Sequence, residues 1–160
     1  DAREVPMTIQ HVLKTKGSHV STIAPEATLT ELVDALAEHR IGAMIVSSDG
    51  EHIDGIVSER DIVRALRSDG GLPSFRESRL VHLDRVKVAE IMTSEVTTCT
   101  PQTSIDEVMA TMTAGRIRHI PVLDDDSLVG IVSIGDIVAA RISHLEWERS
   151  ALVDYVTTGR

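Results

Sequence analysis

Two copies of one short pattern carry most of the chemistry in this chain. Ser58 is followed by Asp61, and Ser133 by Asp136, each pair where an apolar strand turns into a helix. A helix N-terminus leaves backbone N–H groups free and favours anions. A serine hydroxyl there adds a donor for a phosphate or a ribose. A carboxylate one turn later can accept both hydrogens of a ribose 2′,3′-diol. The apolar strand before it supplies a wall for a purine ring. No nucleophile with a general base accompanies either pair, so the pattern is one for binding. The same spacing is that of a helix-capping box, and the residues alone leave both roles open.

A second signal is Arg116-Ile117-Arg118-His119-Ile120-Pro121-Val122. It sets cationic donors just before a strand. Arginine forks suit phosphate oxygens, and a histidine adds a donor whose charge depends on pH. A surface arginine and a buried, satisfied histidine would read the same way.

Other chemistry is poorly served. The histidines form no H-E-x-x-H pair, and with one cysteine, Cys99, no disulfide or cysteine-based zinc cluster forms within the chain. No catalytic or metal-ligating residue is assigned. Sixteen Lys+Arg against 25 Asp+Glu give a net charge of −9, which argues against nucleic-acid polymers and anionic membranes. The aromatics are Phe75, Trp147 and Tyr155, so the core must be aliphatic. No run reaches the ~18 apolar residues of a membrane span, no signal-peptide pattern opens the chain, and a reducing, cytoplasmic setting is expected.

The elements that position these residues are duplicated. Gly55 to Val63 returns as Gly130 to Val138, with seven of nine positions identical at an offset of 75. Upstream, Pro25, Thr28, Glu31, Arg40, Ile41 and Val46 map on Pro101, Ser104, Glu107, Arg116, Ile117 and Val122 at an offset of 76. A unit of about 50 residues is short for a core of its own, so two are expected to pack as one module across a pseudo-symmetric cleft. Each reads as strand, helix, two strands and helix. Thr28 with Glu31, and Ser104 with Glu107, mark the first helices. Ala43 to Val46 and Ile120 to Leu123 read as buried strands, Ile53 to Val57 and Leu128 to Val132 as the next. The second helices start at Glu59 and Ile134. Ile9 to Leu13 and Val88 to Met92 read as short leading helices, and the last helix is expected to run on towards Val156.

These residues resemble a known family. Both repeats are similar to CBS domains, and the chain resembles a tandem CBS pair (a Bateman module) of the stand-alone bacterial kind. Ile41-Gly42-Ala43, Gly55 to Val63, Arg116 to Val122 and Gly130 to Val138 carry the likeness. It implies an α/β fold of two β-α-β-β-α repeats packed with pseudo-two-fold symmetry. Repeat one would span 8–68, a linker 69–86, repeat two 87–142 and a C-terminal helical extension 143–160.

The resemblance also implies binding of adenine nucleotides, AMP, ADP, ATP or NAD(H), and sometimes S-adenosylmethionine. Asp61 and Asp136 would take ribose, and Ser58 and Ser133 phosphate or ribose. Arg118 and His119 would approach phosphate, with Lys16 and Arg60 as further candidates. Adenine would rest against Val20 and Val96 and against Ile41, Gly42 and Ala43 or Ile117 and Ile120. Repeat one has Gly42-Ala43 where repeat two has Arg118-His119, so two unequal sites are expected. A regulatory sensor, homodimeric and acting on an unknown effector protein, is the leading expectation. A structural or protein-interaction module with vestigial sites is the alternative.

Overall fold

The duplicated hydroxyl–carboxylate pairs are the first determinants of the fold. In the computed structural model, which describes residues 6–67 and 83–158, Thr28 caps helix α2 (Leu29–His39). Its hydroxyl accepts the Glu31 N–H at 3.2 Å, and Glu31 accepts the Thr28 N–H at 2.7 Å. Ser104 and Glu107 make the same exchange at 3.2 and 3.0 Å at the start of α5 (Ile105–Gly115). Two otherwise orphaned donors are satisfied at each end, a contribution of about 1 kcal/mol per cap. Both helices stop on an arginine in the left-handed region, Arg40 at φ 54° and Arg116 at φ 50°.

The chain divides into two compact units. The first comprises Val20–Thr97 with Asp126–Leu128. Its sheet runs β1 (Thr22–Ile23), β2 (Ala43–Val46), β3 (Gly55–Ser58). β1 lies parallel to β2, with Thr22 opposite Ile45, and β2 antiparallel to β3, with Ala43 opposite Ser58. Helix α3 (Glu59–Leu66) follows β3 directly. A 3-10 turn (Leu83–Arg85) and a short helix α4 (Val88–Ile91) close the unit. Leu29, Leu32, Leu36, Met44, Val46, Val57, Val86 and Val88 form its core.

The second unit comprises the N-terminal segment to His19, Thr98–Asp125 and Val129–Arg160. Helix α1 (Ile9–Lys16) therefore folds with the second repeat, just as α4 folds with the first. β4 (His119–Asp124) and β5 (Ser127–Ser133) form a hairpin whose turn sets Asp125 and Asp126 at φ 45° and 64°. Helix α6 runs from Ile134 to Thr158 without a break. Ile9, Val12, Ile105, Val108, Met112, Ile120, Val122, Val132 and Ile137 form the core, as aliphatic as its counterpart.

The expected first strand of the second repeat shrinks to a single parallel bridge, Cys99 to Val122. The reason is Pro121, which stands where the first repeat has Ile45 and has no N–H to give the ladder. Its carbonyl still accepts from Cys99 at 3.0 Å. The expected linker lies largely outside the described residues. No helix among the described residues is long and apolar enough to cross a membrane.

Candidate functional site

In the first unit, the β2–β3 register fixes the geometry. Ala43 sits opposite Ser58, and the Glu59 N–H donates to the Gly42 carbonyl at 3.0 Å. Asp61 then folds back, one oxygen accepting from the Ser58 N–H and hydroxyl, both at 2.8 Å. Its other oxygen faces the Arg64 guanidinium at 4.0 Å. Arg64, one turn along the same helix, was not singled out from the sequence, although its i,i+3 spacing from Asp61 was visible there. Gly42, Ala43, Ser58 and Asp61 are thus brought together. Val20, Ile41 and Val96 are half-buried in the same unit, and Arg60 is exposed on α3.

In the second unit, the Ile134 N–H donates to the Arg118 carbonyl at 2.8 Å, which ties the Arg118-His119 strand start to the start of α6. Ser133 donates its N–H to Asp136 at 2.8 Å, and its hydroxyl accepts from the Asp136 N–H at 3.2 Å. Lys16 arrives from the end of α1. Its Nζ lies 2.6 Å from Asp136 Oδ2 and 2.9 Å from the Ile131 carbonyl. Burial pushes the Asp136 carboxyl up, but the Lys16 ammonium and the Ser133 donors outweigh it, and the net shift is downward.

Lys16, Ser133, Asp136 and the Arg118 backbone therefore meet. Arg118 is exposed, Ile117 and His119 are half-buried, and Ile120 is a core residue. Ala43 is likewise buried in the first unit. Both stand behind the surface, as support rather than as an open wall.

What delivers Lys16 is a close helix–strand contact that the sequence reading missed. A Cβ on Gly130 would come within 2.6 Å of the Leu13 side chain, so α1 lies directly on β5. At the equivalent place in the first unit, a Cβ on Gly55 would meet Met92 Sδ and the Thr93 carbonyl, both at 2.8 Å. The two leading helices are offset by 79 residues, as Thr8 and Lys87 show at their caps. α1 runs on to Lys16, whereas α4 ends at Ile91, and there the backbone of Thr93 rather than a long side chain meets the strand.

No group of three or more potential metal ligands gathers among the described residues. Burial pushes the Cys99 thiol up to about 11, so a reactive thiolate is disfavoured at neutral pH.

A family model, the CBS domain, matches residues 7–68 and again 88–143. The chain belongs to the CBS-domain family, as a tandem pair. It is similar to the mitochondrial CBS domain-containing protein CBSX3 of Arabidopsis thaliana, 35% identical over 95% of this chain and 73% of the relative. Among solved structures it is similar to the CBS-domain protein ATU1752 of Agrobacterium tumefaciens. There the identity is 35%, coverage is 84% of this chain and 99% of the other, and the TM-score is 0.74. A candidate signal-transduction protein with CBS domains from Burkholderia ambifaria MC40-6 is 36% identical, with 86% and 95% covered and a TM-score of 0.69. The CBS fold of small sheets flanked by helices is thereby established for both repeats.

Proposed function

We propose that this CBS pair is a non-catalytic regulatory module that binds adenine nucleotides, AMP, ADP, ATP or NAD(H), at two unequal sites. The carrying observation is the Lys16–Asp136 contact at the start of a 25-residue helix. It joins the two charges a nucleotide requires, a carboxylate for the ribose diol and an ammonium for phosphate. Arg118 and His119 extend the cationic side, and the helix N-terminus adds backbone donors. In the first unit Asp61 has Ser58 beside it and Arg64 farther off. That unit suits a ribose with less phosphate, and the second suits the phosphorylated end.

Signalling requires the ligand to prefer one conformational state over another. The signal-transduction assignment of the Burkholderia relative supports this reading. We place the protein in a reducing, cytoplasmic setting as a homodimer acting on an effector protein. Titration calorimetry with AMP, ADP, ATP, NAD and NADH tests the proposal. Heat from at least one is expected, and it should fall sharply in the Asp61→Ala/Asp136→Ala variant. Silence from all five at millimolar concentration would overturn it. A protein-interaction module with vestigial sites is the second reading, and the apolar stripe along α6 favours it.

A further inference from the structure

Helix α6 is much longer than the repeat needs. Ile137 is fully buried, and the His144 side chain pairs with Glu148 at 2.9 Å on the same side of the helix. About a quarter-turn round the helix from that side, Val138, Ile142, Leu145, Leu152 and Val156 are exposed, with Leu152 67% and Val156 74% accessible. Their spacings are 4, 3, 7 and 4, a heptad stripe in which Arg149 fills the missing step. Written as heptads, Ile142, Arg149 and Val156 take the a positions, and Val138, Leu145 and Leu152 the d positions. A stripe of this width is a coiled-coil seam rather than the broader face of a helix packed into a core.

The residue types choose the partner. β-Branched residues at a with leucine at d favour two parallel strands, and one polar a residue fixes register at some cost in stability. Ile142 and Val156 with Leu145 and Leu152 meet the first condition, and Arg149 the second. The flanking charges agree. Arg141 at g and Glu146 at e are five residues apart, the separation that brings g of one parallel strand to e of the next. The antiparallel alignment that covers the whole stripe sets Glu146 against Glu146 and Glu148 against Glu148, which repel.

We propose that α6 of two copies of this chain pair as a parallel coiled coil from Val138 to Val156. This deepens the homodimer reading above and rests on it. Asp136 lies two residues before the seam, so the two candidate ligand sites on α6 would stand at the same end of it.

Sedimentation equilibrium of the full chain should show a dimer, and Leu145→Glu/Leu152→Glu should be monomeric at the same concentration. Arg141→Glu should weaken the dimer about threefold to tenfold, and adding Glu146→Arg should restore it. In a Cys99→Ser background, oxidised Leu152→Cys should cross-link to itself. A wild-type monomer would overturn both the seam and the homodimer. A dimer indifferent to the glutamates, or one in which Ile142→Cys cross-links only to Leu152→Cys, would overturn the parallel seam alone. Calorimetry on the monomeric variant reports on nucleotide binding separately.

Discussion

In the first repeat the backbone of Thr93 pairs with Ile56, donating and accepting at 2.9 Å. In the second, the matching carbonyl, Ile131, is met by the Lys16 ammonium at 2.9 Å. One edge is closed by peptide groups and the other by a charged side chain. The cause lies in the leading helices. α4 ends at Ile91, which lets the chain turn extended and pair with β3. α1 continues to Lys16, and only the end of a long side chain reaches β5. A backbone pair is rigid, uncharged and indifferent to ligand. An ammonium can exchange its carboxylate for a phosphate. The same duplicated scaffold thus yields one strand edge closed by backbone groups and one closed by an ammonium.

The contrast is broken most directly at the two glycines. Gly55→Ala would drive a methyl into the Thr93 carbonyl, which is backbone, and into Met92. Gly130→Ala would meet only the Leu13 side chain, which can rotate away. Overpacking costs about 1–3 kcal/mol, and Gly55→Ala belongs near the top of that range and Gly130→Ala near the bottom. Urea midpoints measure both. Equal losses would mean that the two edges are closed with the same rigidity.

Lys16→Met sharpens the ligand side of the contrast. A charge-assisted hydrogen bond contributes about 1.5–3 kcal/mol, so AMP affinity should fall roughly tenfold to a hundredfold. Binding of unphosphorylated adenosine should barely change. A parallel loss for adenosine would place Lys16 in structural support of Asp136 rather than at phosphate.

The duplication made much of this readable in advance. β2, the capped helices α2 and α5, and the starts of α3 and α6 fall where hydroxyl caps and apolar runs set them. Such signals are local, carried by three or four adjacent residues. The loss of a strand at Cys99 depends on Pro121, 22 residues away, and the Leu13–Gly130 approach joins residues from opposite ends of the chain. Neither has a local pattern. Lys16 was readable as a cation before the first strand, but its meeting with Asp136 of the second repeat was not. That pairing follows from where α1 packs.

The Lys16–Asp136 pair also carries a pH response. Asp136 titrates below its ordinary value, so its contribution to stability is complete above the unfolded carboxylate value of about 3.9 and is lost as pH falls through the folded value. Lys16→Met removes the ammonium but leaves the burial that pushes the carboxyl up. The Asp136 titration should then move to higher pH, and the acid loss of stability should begin earlier. Carboxyl-resolved NMR titration of Asp136 and Asp61 reads this. A shift of both aspartates together would show a global effect and remove Lys16 as the specific cause.

The smallest effect probes what the repeats share. Arg40 and Arg116 close equivalent helices in the left-handed region, at φ 54° and 50°. A side chain there costs about 1–2 kcal/mol, whereas glycine enters freely but gives back about 0.5–1 kcal/mol in unfolded-chain entropy. Arg40→Gly should therefore stabilise the protein by a few tenths to about 1 kcal/mol, read as a rise in the urea midpoint. Arg116 has a further interaction partner that glycine would forfeit, so Arg116→Gly should gain less. If Arg116→Gly instead lowers stability while Arg40→Gly raises it, that arginine anchors the cationic segment leading to Arg118, and the asymmetry between the repeats begins at the helix cap.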